Sequence, residues 1–251
     1  MSEFQYYEFR AIDRQLTPQE MEEVRKLSSR ARVSRDRAIF IYSFGDFRGN
    51  SDEVLSKYFD VFLYTSNFDT KKLSFRLPTR LLKAQSLCPY EYEYIVEIEP
   101  YEHDTIVTLH FDNEEGGGWI EEEDCSILLD ALLPLREDLL LGDPRSLYLA
   151  LIANQAHMQI ETYVRSLPVP ANLKNLTPAL KIFADFFEIN PDLLKQIAGQ
   201  SHDITAQSFD ISQLSEHEKD MTLQKVLDND PHVRIDLQNL LAQKVMEYQQ
   251  E

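Results

Sequence analysis

The residues best suited to chemistry stand between Glu102 and Asp112, where Glu102-His103-Asp104 is followed by His110 and Asp112. Carboxylates and imidazoles together make a mixed oxygen and nitrogen donor set that a divalent cation accepts. Brought together by a chain reversal near 100–112, they would make a metal-dependent enzyme. Their intervals match no metal motif, and an acidic loop with a lone histidine is commonly just solvated, so no metal ligand is assigned. Asp112-Asn113-Glu114-Glu115-Gly116 lacks the alternating ligands and distal Glu of a calcium loop. Gly116-Gly117-Gly118 has no Lys-Ser or Lys-Thr after it, and Glu114, Glu115 and Glu121 beside it would repel phosphate. No Gly-x-Ser-x-Gly elbow occurs. Cys88 and Cys125 are too few for a disulfide framework and read as reduced, buried thiols. No catalytic residue and no cofactor is assigned.

Charge is the stronger signal. The 251 residues carry a formal net charge of −18, and it is unevenly spread. Between Ala84 and Leu135 there is no Lys or Arg, whereas Glu91, Glu93, Glu97, Glu99, Glu102 and Asp104 crowd one hairpin. Like charges so close raise the local field, repel one another and steer basic surfaces toward them. These six residues are therefore the expected partner-binding set, with a basic protein as the partner. Direct binding of DNA or RNA is disfavoured, because phosphate contacts need cation density. Only Arg25, Lys26, Arg30, Arg32, Arg35 and Arg37 supply it, and the same cluster could instead lie beside the acidic hairpin and offset it internally.

The elements that would position these groups are legible. Ala38 to Phe44 is rich in β-branched and aromatic residues and reads as a strand, broken by Gly45-Asp46-Phe47-Arg48-Gly49. Asn50 or Ser51 then caps a helix on which Val54, Leu55, Tyr58, Phe59, Phe62 and Leu63 recur at helical spacing. Lys72 to Pro78 is the next strand. Before this unit, Gln5 to Ile12 is a strand and Thr17-Pro18-Gln19-Glu20 opens a helix with a capping box. After it, Glu91 to Glu99 alternates, with Tyr92, Tyr94, Val96 and Ile98 expected toward the core and the glutamates away from it. Thr105 to Asp112 returns as its partner strand. Beyond Trp119 the apolar period lengthens toward 3.6: helices start at Thr177-Pro178 and Asn190-Pro191, Ser201 to Ser215 reads as a linker, and Pro231 to Tyr248 is a final amphipathic helix.

Tyr6-Tyr7-Glu8-Phe9, Ala11-Ile12-Asp13-Arg14, Leu16-Thr17, Gly45-Asp46-Phe47-Arg48-Gly49, Tyr58-Phe59-Asp60 and Arg76-Leu77-Pro78 together resemble the opening of a family of uncharacterised bacterial proteins, with Phe44 where that pattern commonly has Trp. The resemblance covers about the first 80 residues and implies no activity, cofactor or site residue.

The expected fold is α+β: an N-terminal mixed sheet of about five strands with helices on one face (residues 1–118), a helical part (119–200), and a linker with C-terminal amphipathic helices (201–251). No apolar run spans a membrane, and Met1 to Gln5 lacks the basic start and apolar core of a signal peptide, so a cytoplasmic location is expected. The functional expectation is a non-enzymatic interaction or adaptor protein, with a metal-dependent enzyme and an assembly subunit held by its last helix as alternatives. The oligomeric state is left open.

Overall fold

The computed structural model describes residues 4–113, 122–204 and 211–248. The chain forms two compact units, Met1–Asp203 and Ile204–Glu251. The expected boundary at 118/119 lies within 114–121, outside the described residues, and inside the first unit.

The first unit runs β1 (Gln5–Arg10), α1 (Pro18–Arg25), β2 (Arg32–Val33), β3 (Arg37–Tyr42), α2 (Ser51–Tyr58), β4 (Val61–Ser66), β5 (Thr70–Pro78), α3 (Ala84–Leu87), a 3-10 turn (Cys88–Tyr90), β6 (Val96–Tyr101) and β7 (Asp104–Asp112). Among the described residues six helices follow: α4 (Glu122–Leu132), α5 (Pro134–Leu140), α6 (Arg145–Asn154), α7 (Glu161–Ser166), α8 (Pro178–Phe186) and α9 (Pro191–Ala198). This is the expected α+β class. The sheet itself has seven strands in the order β2-β3-β1-β4-β5-β7-β6, and every pairing is antiparallel. A mixed sheet was the expectation when the strand at Ala38–Phe44, the helix after it and the strand at Lys72–Pro78 were read as one strand-helix-strand unit; the chain instead forms β4 between α2 and β5. Here β1 inserts between β3 and β4, so the two parallel strands never touch.

The strand missing from the sequence reading is β4. Phe62 and Leu63 extend the apolar spacing of α2, yet the helix stops at Tyr58 and both residues belong to the strand. Phe62 faces α1 and α2 and Leu63 faces the opposite side, and both are buried. A strand covered on both faces gives a continuous apolar run, which periodicity does not separate from a helix face.

Caps follow local chemistry closely. Thr17 and Glu20 complete a reciprocal capping box at α1, and the Asn50 side chain accepts from the Asp52 and Glu53 amides at α2. Thr177 and Asn190 cap α8 and α9, each with Pro at the first helical position.

One face of the sheet carries Phe9, Phe40 and Phe62 against Val24 of α1 and Val54 and Leu55 of α2. The other face is covered by the later helices: α4 packs on β1, α5 on β5, and α6 on β6 and β7. Helices α4, α5 and α6 are thus the second layer of the same core. Cys125, on α4, is buried, while Cys88 is exposed, which corrects the expectation of two buried thiols.

In the second unit a 3-10 turn (Ile211–Gln213) leads to α10 (Glu216–Leu227) and α11 (Val233–Tyr248). Ser215 and Glu218 form a capping box at α10, and Lys244 ties α11 to Glu218 at 3.0 Å. Part of the expected linker, 205–210, lies outside the described residues.

Candidate functional site

The expected acidic strand begins later than its alternation suggests. Glu91 ends the 3-10 turn, and Tyr92 to Ile95 form a tight turn closed by Tyr92 N to Val96 O and Val96 N to Tyr92 O, each 2.9 Å. Tyr94 takes a left-handed φ of 64° in that turn. Tyr92 and Tyr94 therefore leave the core face expected for them. The Tyr92 ring meets Tyr163 at 4.6 Å, and Tyr94 is 67% exposed. The Tyr94 phenol is pushed up, first by its hydrogen bond to Glu93 and then by that carboxylate's charge. From Val96 onward the reading holds: Val96 is buried while Glu97 and Glu99 point to the opposite face.

β6 is an edge strand, but a blunted one. The His110 amide donates to Ile95 O at 2.9 Å, so by antiparallel alternation Glu97, Glu99 and Tyr101 turn their backbone groups toward β7. Val96, Ile98 and Pro100 turn theirs outward. Val96 is already paired with Tyr92, and Pro100 has no N–H. Ile98 alone offers both a donor and an acceptor, too little to seed a further strand.

The six expected partner-binding residues divide. Glu91, Glu93, Glu99 and Glu102 are exposed, and none forms an ion pair with a cation among the described residues. Glu97 lies 2.9 Å from His110 Nε2. Asp104 accepts from Arg76 at 2.8 Å and belongs to an internal network. In that network Asp60, 1% exposed, accepts from the Ile12 and Asp13 amides and from Arg76; Arg136 grips Asp13 through two bonds of 2.8 and 2.7 Å and donates from Nε to Arg76 O. Three carboxylates and two guanidinium groups thus bind the loop after β1, the start of β4, β5 and α5 together.

Placement bears on two sequence-based alternatives. The Arg25 to Arg37 cluster lies at the β2–β3 edge, and five strands separate β2 from β6, so it does not offset the acidic hairpin. Arg37 instead pairs at 2.6 Å with Glu8, whose carboxyl is pushed up by burial against the opposing pull of Arg37 and Tyr6. The metal-ligand set is scattered. His103 sits in the β6–β7 turn, His110 pairs with Glu97, and Asp112 bonds the Thr70 hydroxyl at 3.2 Å. Asp104 and His110 are six strand positions apart, about 20 Å. Among the described residues, no three His, Cys, Asp or Glu side chains are placed to hold a metal ion.

A feature that the sequence reading took as a solvated basic face is an open cleft of about 730 Å³ at the other end of the sheet. Its lining comes from the segment after α1 (Lys26, Ser29, Arg30) and from the end of β3 with the following turn (Tyr42, Phe44, Arg48). The turn is rigidly built. Gly45 has φ +79°, and Asp46 accepts from Gln5 Nε2 at 2.7 Å. Phe47 is buried against Phe40 and Tyr7 with centroids 4.8 and 5.5 Å apart. A Cβ on Gly49 would stand 2.7 Å from the Phe47 ring. Arg48 has no such structural duty: its guanidinium makes no hydrogen bond or ion pair among the described residues, and Lys26 likewise has none for its ammonium. Arg30 stacks over Tyr42 at 5.3 Å, whose hydroxyl donates to Ser28. The available signal was the five-residue Gly-rich turn following a strand and preceded in sequence by a basic run.

Among the described residues no helix is long and apolar enough to cross a membrane. Searched against protein-family models, curated proteins and solved structures, the chain finds no match.

Proposed function

We propose that this chain is a non-enzymatic interaction protein whose acidic β6 end engages a basic partner protein. One observation carries the reading: Glu91, Glu93, Glu99 and Glu102 stand exposed at one end of the sheet, with the basic cluster that would offset them at the opposite edge. An uncompensated anionic surface steers cationic partners from a distance. The blocked backbone of β6 makes recognition a matter of side chains, with exposed Tyr94 and Tyr101 adding contact area, and excludes strand addition.

The test compares the wild-type chain with a variant in which Glu91, Glu93, Glu99 and Glu102 are all changed to Lys. Both are tagged and used for affinity purification from the native host at about 0.05 M and about 0.5 M salt, where exposed charge pairs are weakly and strongly screened. A partner captured by the wild type at low salt, released at high salt and not captured by the variant is expected. Capture of the same partners by a folded variant would sink the reading.

A further inference from the structure

We propose that the cleft beside the Gly45–Gly49 turn is a binding site for a small phosphate-bearing ligand with a planar ring, the chemistry of a mononucleotide. The inference is independent of the acidic surface, which lies at the far edge of the sheet.

The charge of the lining is the first argument. In a chain of net charge −18, the cleft gathers Lys26, Arg30 and Arg48 around one carboxylate, Asp46, which is already held by Gln5. Guanidinium forks suit phosphate oxygens, and the exposed Ser29 hydroxyl adds a neutral donor at the same wall. The division of labour within the turn is the second. Gly45, Asp46, Phe47 and Gly49 each serve the turn's own geometry, so the buried Phe47 ring, packed on the partly buried Tyr7, fixes the backbone from which Arg48 projects. That is pre-organisation, which lowers the ordering cost of binding. The third is Phe44, 71% exposed at the rim. A ring so placed offers a stacking face beside cations, and covering it removes apolar surface from water.

Size and field then choose among anions. A volume of about 730 Å³ matches sites for small molecules. A nucleic acid strand would extend past three cations into the field of a strongly anionic protein, so the single-phosphate ligand is favoured over the polymer.

Calorimetric titration of the full chain with adenosine 5′-monophosphate as probe tests this, with adenosine, inorganic phosphate and a single-stranded ten-nucleotide DNA in parallel. The monophosphate is expected to bind, with adenosine and phosphate each weaker by about tenfold or more. Phe44→Ala and Arg48→Ala, both at exposed positions, should each weaken the monophosphate by about tenfold while the thermal midpoint stays unchanged. Should either variant lose its fold, Arg48→Glu and Phe44→Ser provide the same comparison. Absence of heat with the monophosphate at millimolar concentration overturns the proposal, as does binding that both variants leave intact. Phosphate binding as tight as the monophosphate removes the ring from the site, and tighter binding of the oligonucleotide replaces the small ligand with a nucleic acid strand; either result overturns it.

Discussion

At one edge of the sheet β2 is two residues long and stands beside a cleft walled by Lys26, Arg30 and Arg48; at the other, β6 is six residues long and carries Glu97 and Glu99, with Glu91, Glu93 and Glu102 next to it. Each edge meets the hazard of unpaired backbone by its own means, one by brevity and the other by a closed turn, carboxylates and Pro100. Their relation to the core differs more. The turn that shapes the cationic cleft is anchored through Phe47 in the aromatic cluster of Phe9, Phe40 and Tyr7. Among the described residues, the side chains of the exposed glutamates at the acidic edge form no ion pair. Changing the first region should therefore disturb stability and surface together, whereas changing the second should alter the surface alone.

The sharpest way to break that contrast is Phe47→Ala, expected to cost about 3–5 kcal/mol because it empties a buried ring from a packed cluster. Urea denaturation measures it, and a cost below 1 kcal/mol, on the order of a surface change, would separate the turn from the core. Gly49→Ala follows, at about 1–3 kcal/mol, since the new methyl group meets the Phe47 ring at 2.7 Å. Within the acidic hairpin, Asp104→Ala should cost about 1.5 kcal/mol through the lost charge-assisted bond to Arg76. Its neighbour Glu102→Ala should stay within about 0.5 kcal/mol. Equal costs for this pair would erase the distinction between paired and exposed carboxylates.

Near the cleft, Thr17→Ala should cost about 1 kcal/mol by opening the cap of α1, the helix that Lys26 ends. The same cap has a pH signature. Arg14 and the Thr17 amide hold the Glu20 carboxyl down to about 2, from an ordinary 4.5. Its contribution is present above pH 4.5 and is lost as the pH falls through about 2. Acid unfolding of Glu20→Gln should lack that part of the slope. Last, Glu99→Val combined with Pro100→Thr should change the unfolding midpoint little and raise self-association in light scattering, because it restores an apolar edge with a backbone donor. An unchanged scattering signal would show that the turn at Tyr92–Val96 blocks the edge without them.

Much of the fold was legible where the signal is local. Thr17-Pro18, Asn50, Thr177-Pro178 and Asn190-Pro191 all start helices, because a short polar side chain capping the first amides acts within four residues. The strands at Arg37–Tyr42 and Asp104–Asp112 were visible from composition and alternation. β4 was hidden because burial on both faces erases the period-two pattern, and α2 appeared to absorb it. Tyr94 was placed in the core because a turn with one left-handed residue leaves the alternation of neighbouring letters intact. For the surface, the clustering of glutamates was evident from the chain, whereas the roles of Asp104 and Glu97 depended on Arg76 and His110, which other strands deliver.

By itself the amino-acid sequence determined the α+β class, the four capped helix starts at Thr17, Asn50, Thr177 and Asn190 and the concentration of negative charge near one hairpin, since these follow from interactions between residues close along the chain. Strand order was decided only in three dimensions. That order inserted β1 between β3 and β4, sent the arginine cluster and the acidic hairpin to opposite edges, and made a cleft from two segments about fifteen residues apart. Those outcomes rest on which apolar faces can be buried together, a condition on the whole chain that no single stretch of it contains.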